Sequence, residues 1–535
     1  MAGLLKDFAN SFMEGWRGDK LPAPAERRPV VRDTALIGSP APDAITLGRI
    51  VEPHYGITHK IRHGAEQHTL IFGKNGAGKG TRILVPNLLQ NTGASIVVVD
   101  PKGELAAITA PFRRTLGPVA ILNPFGVLTD WRGYEDLKSC GYNPLAALDP
   151  NSPDLNTKAS QLGDALIKVE GKEPHFPESA RALVSALVMF TVMEARRNGR
   201  TPTMARVREL ICMASSAPAA ENNFEGVGLP KLALDMMRKH VEKAWRGSNL
   251  TALRNKLSQF VDWNREIASI ASTAKIQTEP FDDWYVANDM KKDGIDFREL
   301  KRRPCTVYIV LPPEMMQRHA KWLRLVLTSA LQSVLRARRP NEPRVYFWMD
   351  EFFMLGHLEI IETTWAAVRG YGISMMPILQ DMNQLKKLYP ATWETFIGMA
   401  GAVGHFGPND MTTAEYLSRR GGDLTREVES VTRTTGTSYS FGDSSSVNNG
   451  IGPSGESAGS SAGVNSSTSY STSEAVGRAK QKTTLLTPNR IMGLPPGFML
   501  YTVDGLSGLI PAYAPPYYDI RQCKDRARQN PYFLS

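Results

Sequence analysis

The chain has 535 residues, too many for one small core, so two or three domains are expected. Hydrophobic residues make up 42% and charged residues 22%, which is ordinary for a soluble globular protein, and Lys plus Arg exceed Asp plus Glu by ten, a surplus compatible with nucleic acid or an anionic membrane surface. Cys140, Cys212, Cys305 and Cys523 lie far apart with no CxxC spacing, which argues against a zinc site or a disulfide framework and fits a reducing cytoplasm.

The first twenty residues have the spacing of a short amphipathic helix, with Leu4, Leu5, Phe8, Phe12 and Trp16 on one face. Two readings stand: a helix packed on its own domain, or one that docks on a partner or a membrane surface. Residues 1–45 are taken as this helix plus a linker rich in Pro and charge. No stretch there resembles a signal peptide. The longest apolar run, residues 182–193, is about half the roughly 20 residues a spanning helix needs. It is expected to be a buried helix, and the chain to have no transmembrane segment.

Residues 46–150 alternate strand and helix: a strand at 68–72, a helix at 82–89, and a buried strand at 95–99 ending at Asp100. This is the rhythm of a parallel sheet. Residues 151–290 change to long helical patterns, at 178–197 and 204–214, and are expected to form an inserted all-α domain. Alternation resumes over 291–535, with strands at 306–311, 345–349, 373–379 and 498–503 and a helix at 318–336. The fold expected is α/β: a nucleotide-binding domain around a parallel central sheet, interrupted by a helical domain. Residues 430–475 are dominated by Ser, Gly, Thr and Asn and have little to bury, so a flexible loop is expected there.

Gly73, Lys74, Asn75, Gly76, Ala77, Gly78, Lys79, Gly80 and Thr81 follow an apolar strand and open a helix. That context is what a phosphate-binding loop requires. The glycines permit tight turns, the loop amides form an anion nest at a helix N-terminus, and Lys79 places a cation on the β- and γ-phosphates. ATP and Mg2+ are therefore expected. The position after Lys79, commonly Ser or Thr with its hydroxyl on magnesium, is Gly80. Thr81 is the nearest hydroxyl, and magnesium must rely more on water and Asp350.

The second half of the site is the strand 345–349 followed by Asp350 and Glu351. Successive strand residues point opposite ways, so the two carboxylates can have different jobs. Asp350 would hold magnesium, and Glu351 would orient and activate the attacking water. Gln380 ends the next strand. It could sense the γ-phosphate or position water, or it could cap the following helix. His54, His59, His63 and His68 lack partners at ligand spacing and are not read as a metal site. Arg419 and Arg420 could supply an arginine finger but read better as a solvated helix face.

These residues resemble the type IV coupling proteins of bacterial conjugation and secretion, the TraG/TraD group. Gly78-Lys-Gly80 followed by Val85-Pro-Asn-Leu-Leu89 is similar to that family's loop and helix, including the absent Ser/Thr. Val97-Val-Val-Asp-Pro-Lys-Gly-Glu104, Tyr142-Asn-Pro-Leu145, Asp350-Glu-Phe352, Leu355-Gly356, Arg369-Gly-Tyr-Gly372, Leu379-Gln-Asp381, Phe406-Gly-Pro-Asn-Asp410, Ala414-Glu-Tyr-Leu-Ser418, Leu485-Leu-Thr-Pro488 and Tyr517-Tyr-Asp519 follow in the family's order. Arg490 stands where many members carry an acid.

The resemblance implies a RecA-like motor, a homo-oligomer and usually a hexamer around a channel. It implies that ATP hydrolysis drives single-stranded or relaxase-bound DNA, or protein effectors, into a type IV secretion channel. The partners implied are relaxosome proteins, channel ATPases and inner-membrane components. Most members carry N-terminal membrane helices. This chain is expected to be a form without them, cytoplasmic and peripheral at the inner membrane. The alternatives are a DNA-translocating motor unrelated to secretion and a nucleotide-switched recruitment platform.

Overall fold

The computed structural model describes residues 41–52, 56–63, 67–169, 174–215, 248–260, 265–506 and 508–533. The expected N-terminal helix and His54 lie outside the described residues. The strands are β1 Ile45–Glu52, β2 Gly56–His63, β3 His68–Phe72, β4 Ser95–Val99, β5 Val119–Leu122, β6 Thr306–Ile309, β7 Val345–Met349, β8 Ile373–Leu379, β9 Ala400–Phe406, β10 Asp423–Gly452, β11 Gly455–Thr484, β12 Phe498–Val503 and β13 Ile510–Tyr513. All but β10 and β11 join one 11-stranded sheet, in the order β2-β1-β13-β12-β9-β3-β8-β7-β4-β6-β5. From β9 to β5 every pairing is parallel, and β12, β13, β1 and β2 extend the sheet antiparallel.

The central strands β3, β4, β6, β7 and β8 are buried at every position and mostly apolar, because both faces are covered. Side chains alternate between two cores. Val97, Val99, Val307, Ile309, Phe347, Met349 and Met375 pack on the side of the helical insert and helix Pro313–Val334. Ile96, Val98, Tyr308, Tyr346, Trp348, Met376 and Ile378 pack on the side of helices Val85–Gln90 and Glu104–Leu116. Burial of Trp348 at 0% exposure stabilises the sheet by about 3 kcal/mol, and Trp348→Ala would also leave a cavity between sheet and helix.

The insert between β5 and β6 is helical: Leu155–Leu166, His175–Arg197, Met204–Ala214, Ser248–Ser258 and Arg265–Gln277. Among the described residues, one helix, His175–Arg197, has the length and composition to cross a membrane, and 72% of its apolar window is buried inside the protein. The run 182–193 is thus the core of the insert.

The Ser/Gly-rich stretch, expected as a flexible loop, is instead an antiparallel ribbon in the structure. β10 and β11, 30 residues each, pair from Asp423 with Thr484 to Gly452 with Gly455. The composition leaves nothing for a core, but it does not forbid a ladder. Thr, Val and Tyr recur along both strands, and cross-strand pairs such as Ser438 with Ser469 hydrogen-bond at 2.8 Å. Backbone pairing takes the place of burial.

Candidate nucleotide-hydrolysis site

The site is built at the C-terminal edge of β3, β8, β7 and β4, which lie side by side. β3 delivers the chain into residues 73–81. The Gly73 N–H donates to the Leu379 carbonyl at 2.9 Å, closing the loop onto the neighbouring strand. Gly78 has φ +88°, and a Cβ there would come within 2.9 Å of the Arg82 side chain. A side chain is excluded on both counts.

Lys79 is 8% exposed and folds back over its own loop. Its ammonium donates to the Gly73 carbonyl at 2.9 Å and stands 3.9 Å from Glu351 Oε1. After Lys79 the chain enters a π-turn at Gly80–Leu84 and then helix Val85–Gln90. Asn87 fixes this helix to β1. It accepts from the Thr46 N–H at 2.7 Å and donates to the Thr46 carbonyl at 2.9 Å, as a strand residue would. Arg82 donates to the Ala514 carbonyl at 2.6 Å and anchors the same helix to the chain after β13.

β7 ends at Met349 and presents Asp350 and Glu351. Burial pushes the Asp350 carboxyl up to about 6, the adjacent Glu351 charge adds to this, and Lys79 opposes it. Its Oδ1 accepts the Glu351 N–H at 3.1 Å. Glu351 sits at φ 53°, ψ 44°, a left-handed conformation that costs a non-glycine residue about 1–2 kcal/mol. This strained turn carries the carboxylate to Lys79, and its side chain remains 30% exposed. The two acids thus differ in environment, one buried and one open to solvent.

Gln380 reaches the loop directly: its Nε2 donates to Asn75 Oδ1 at 3.2 Å. The following helix, Met382–Leu388, is capped by Asp381, which accepts the Gln384 N–H at 2.9 Å, so Gln380 is free of that duty. On the other side of the loop, Lys74 donates to Asn409 Oδ1 at 3.0 Å. Thr81 donates its hydroxyl to the Gly78 carbonyl at 3.3 Å. A Cβ built on Gly80 would meet nothing nearer than Leu105 at 4.0 Å, so the position of the usual hydroxyl is open. A buried carboxylate with room for water beside it is a hard-oxygen donor set, which suits magnesium. Arg419 and Arg420 are both exposed on helix Met411–Gly421.

A third acid, Asp100, joins Asp350 and Glu351 at this edge of the sheet. β4 pairs with β7 with Val99 opposite Met349, which puts Asp100 beside Asp350 on adjacent strand ends. It is 2% exposed and accepts the Ala106 N–H at 2.8 Å. Burial pushes its carboxyl up to about 7, against the pull of the Ala106 and Leu105 amides, with the Glu104 and Asp350 charges adding to the rise. The signal in the sequence is an acid ending an all-apolar strand, the same pattern that marks Asp350.

A parallel sheet with a glycine-rich loop after its central strand and acids two strands away defines the RecA-like P-loop NTPase class. Within it, the family model for type IV secretory system conjugative DNA transfer matches residues 41–450, and the chain belongs to that family. It is 27% identical over 391 residues to an Escherichia coli conjugal transfer protein TraG, covering 70% of this chain and 57% of the relative. It is 25% identical to a Rhizobium radiobacter VirD4 protein, covering 71% and 51%. The chain therefore spans little more than half the length of these curated relatives. Among solved structures, it is similar to the bacterial conjugative coupling protein TrwBdeltaN70, with a TM-score of 0.53, 16% identity and coverage of 84% and 85%. TrwB has also been solved with a non-hydrolysable ATP analogue and with ADP and Mg2+.

Proposed function

We propose that this chain is an ATP-driven coupling protein that recruits relaxase-bound DNA or protein effectors and passes them to a type IV secretion channel. The observation that carries the reading is the meeting of Lys79 and Glu351 across the phosphate loop, within a chain of the conjugative DNA transfer family. The loop 73–81 binds the phosphates of ATP through its amides and through Lys79. Asp350 and Thr81 would hold magnesium, which supplies charge neutralisation at the β- and γ-phosphates when bound. Glu351 orients the attacking water and takes its proton, and its partial exposure gives that water access. Gln380, tied to Asn75, stands ready to report the γ-phosphate state to helix Met382–Leu388.

Partners follow from the family: relaxosome proteins or effectors as cargo, channel ATPases and inner-membrane components as the docking side, and further copies of this chain in a hexamer. The protein would work at the cytoplasmic face of the inner membrane. The test is transfer from a donor strain lacking the native copy and complemented with the wild type, Lys79→Ala or Glu351→Gln. Wild-type complementation with loss of transfer in both variants supports the reading. Undiminished transfer with Lys79→Ala overturns it.

A further inference from the structure

The segment 526–533 runs along helix Glu104–Leu116 and closes on the turn that leads from β4 into it. The Arg528 N–H donates to the Ile108 carbonyl at 2.9 Å, and its guanidinium donates to Ala107 at 2.6 Å and to Asp136 at 2.8 Å. Tyr134 holds the segment from outside, donating its hydroxyl to the Gln529 carbonyl at 2.8 Å. Further on, Asn530 Nδ2 donates to Glu104 Oε1 at 2.5 Å, and the Tyr532 hydroxyl donates to the Lys102 carbonyl at 2.7 Å. The ring of Tyr532 packs edge-on against Trp131 at 5.8 Å.

Both contacts fall on one short turn, residues 100–104. That turn begins at Asp100, which stands beside Asp350 at the strand ends. It carries Lys102, whose side chain is exposed. Gly103 is left-handed at φ +68°, and its N–H donates to the Asp100 carbonyl at 3.2 Å. The Asp100 carboxylate caps the helix entry by accepting the Ala106 N–H. The contacts from Asn530 and Tyr532 add two ties on the far side of the turn, to the Glu104 side chain and the Lys102 carbonyl.

We propose that segment 526–533 is a strap that sets the position of the turn 100–104 beside Asp350, with Asn530 and Tyr532 as positioning residues for hydrolysis. This rests on the reading of Asp350 and Glu351 as the hydrolytic pair. Neither strap residue touches the phosphate loop. They act by holding the Lys102 carbonyl and the Glu104 side chain, and so the turn that begins at Asp100 next to Asp350. A loosened strap would change turnover while leaving the loop that binds nucleotide intact.

The test is steady-state ATP hydrolysis by the full chain carrying Tyr532→Phe, Asn530→Ala or both, over a range of ATP concentrations, with Phe533→Ala as a control on a neighbouring side chain that is 73% exposed. Tyr532→Phe removes one hydroxyl and leaves the ring in place. The expected result is a fall in kcat of about two- to tenfold per variant, the span that one net hydrogen bond converts to. KM for ATP should be unchanged. Phe533→Ala should behave as wild type. A lowered Tm with kcat unchanged in both strap variants overturns the proposal and leaves the segment a structural brace. Lys79→Ala in the same assay separates the two claims: if it hydrolyses ATP as the wild type does, the hydrolytic reading fails and the strap falls with it.

Discussion

The ammonium of Lys79 stands 3.9 Å from Glu351 Oε1 while donating to the Gly73 carbonyl at 2.9 Å. A cation and a carboxylate thus face each other beside the loop 73–81, the pair to which the proposed function gives the γ-phosphate and the attacking water. Replacing Lys79 with Ala removes the loop's inward cation. ATP affinity should fall about ten- to hundredfold, the range of a charged hydrogen bond worth about 1.5–3 kcal/mol. Equilibrium binding of a fluorescent ATP analogue measures this directly, and an unchanged Kd would remove Lys79 from the site.

Asp350 couples the site to stability. Its carboxyl is raised from 3.8 to about 6, chiefly by burial. Between those values the folded chain holds a proton that the unfolded chain has released, so stability falls as pH rises through this window and stays lower above it. Asp350→Asn cannot ionise. It should stabilise the nucleotide-free protein at pH 8 by up to about 3 kcal/mol and have little effect below pH 4. Thermal melts of both proteins at pH 4 and pH 8 check this, and equal Tm differences at the two values would sink it. The same substitution should weaken the magnesium dependence of nucleotide binding, because the amide carries no charge.

Gly80 stands where a hydroxyl residue is common, and its Cβ position is open, with Leu105 the nearest atom at 4.0 Å. Gly80→Ser should therefore fold without strain. It should gain a few tenths of a kcal/mol from helix propensity. It should also lower the magnesium concentration needed for half-maximal hydrolysis. A magnesium titration of both proteins decides this. A fall in Tm would show that the space is needed for backbone movement.

The ribbon of β10 and β11 is supported by its own ladder, and its ends meet where the Leu485 N–H donates to the Gly422 carbonyl at 3.0 Å. Excising residues 425–482 and joining the ends with a short glycine-containing turn should leave the Tm of the remaining protein within about 2 °C, since no core residue among the described residues is lost. Differential scanning calorimetry checks this. A large drop would mean that the ribbon contributes to the main fold.

Much of the nucleotide site was legible because its chemistry is local in sequence. The loop 73–81, the acids at 350 and 351, and the strands His68–Phe72, Ser95–Val99, Val345–Met349 and Ile373–Leu379 all announce themselves by largely apolar runs ending in glycine, an acid or, for the last, Gln380. β9 was not read as a strand: Ala400–Phe406 alternates glycine and alanine with larger residues, and its place beside β3 depends on tertiary packing. The antiparallel additions β1, β2 and β13 are also absent from the pattern: β1 and β2 carry charged and polar residues along their length, and the pairing of β1 with β13 joins opposite ends of the sequence. Asp100 could be read as an acid at a strand end, but its neighbour Asp350 is 250 residues away in sequence and only the strand order joins them. The ribbon of β10 and β11 is not legible in the sequence, because composition reports burial and says little about backbone pairing.

The most direct test of hydrolysis at Glu351 is ATP binding and turnover measured on the same preparations of wild type and Glu351→Gln, with and without single-stranded DNA. Gln keeps the size of the side chain but is a poor proton acceptor. The expected result is ATP binding within about threefold of wild type, turnover lowered by about 10²-fold or more, and stimulation by DNA in the wild type alone. Wild-type turnover by Glu351→Gln would contradict the account.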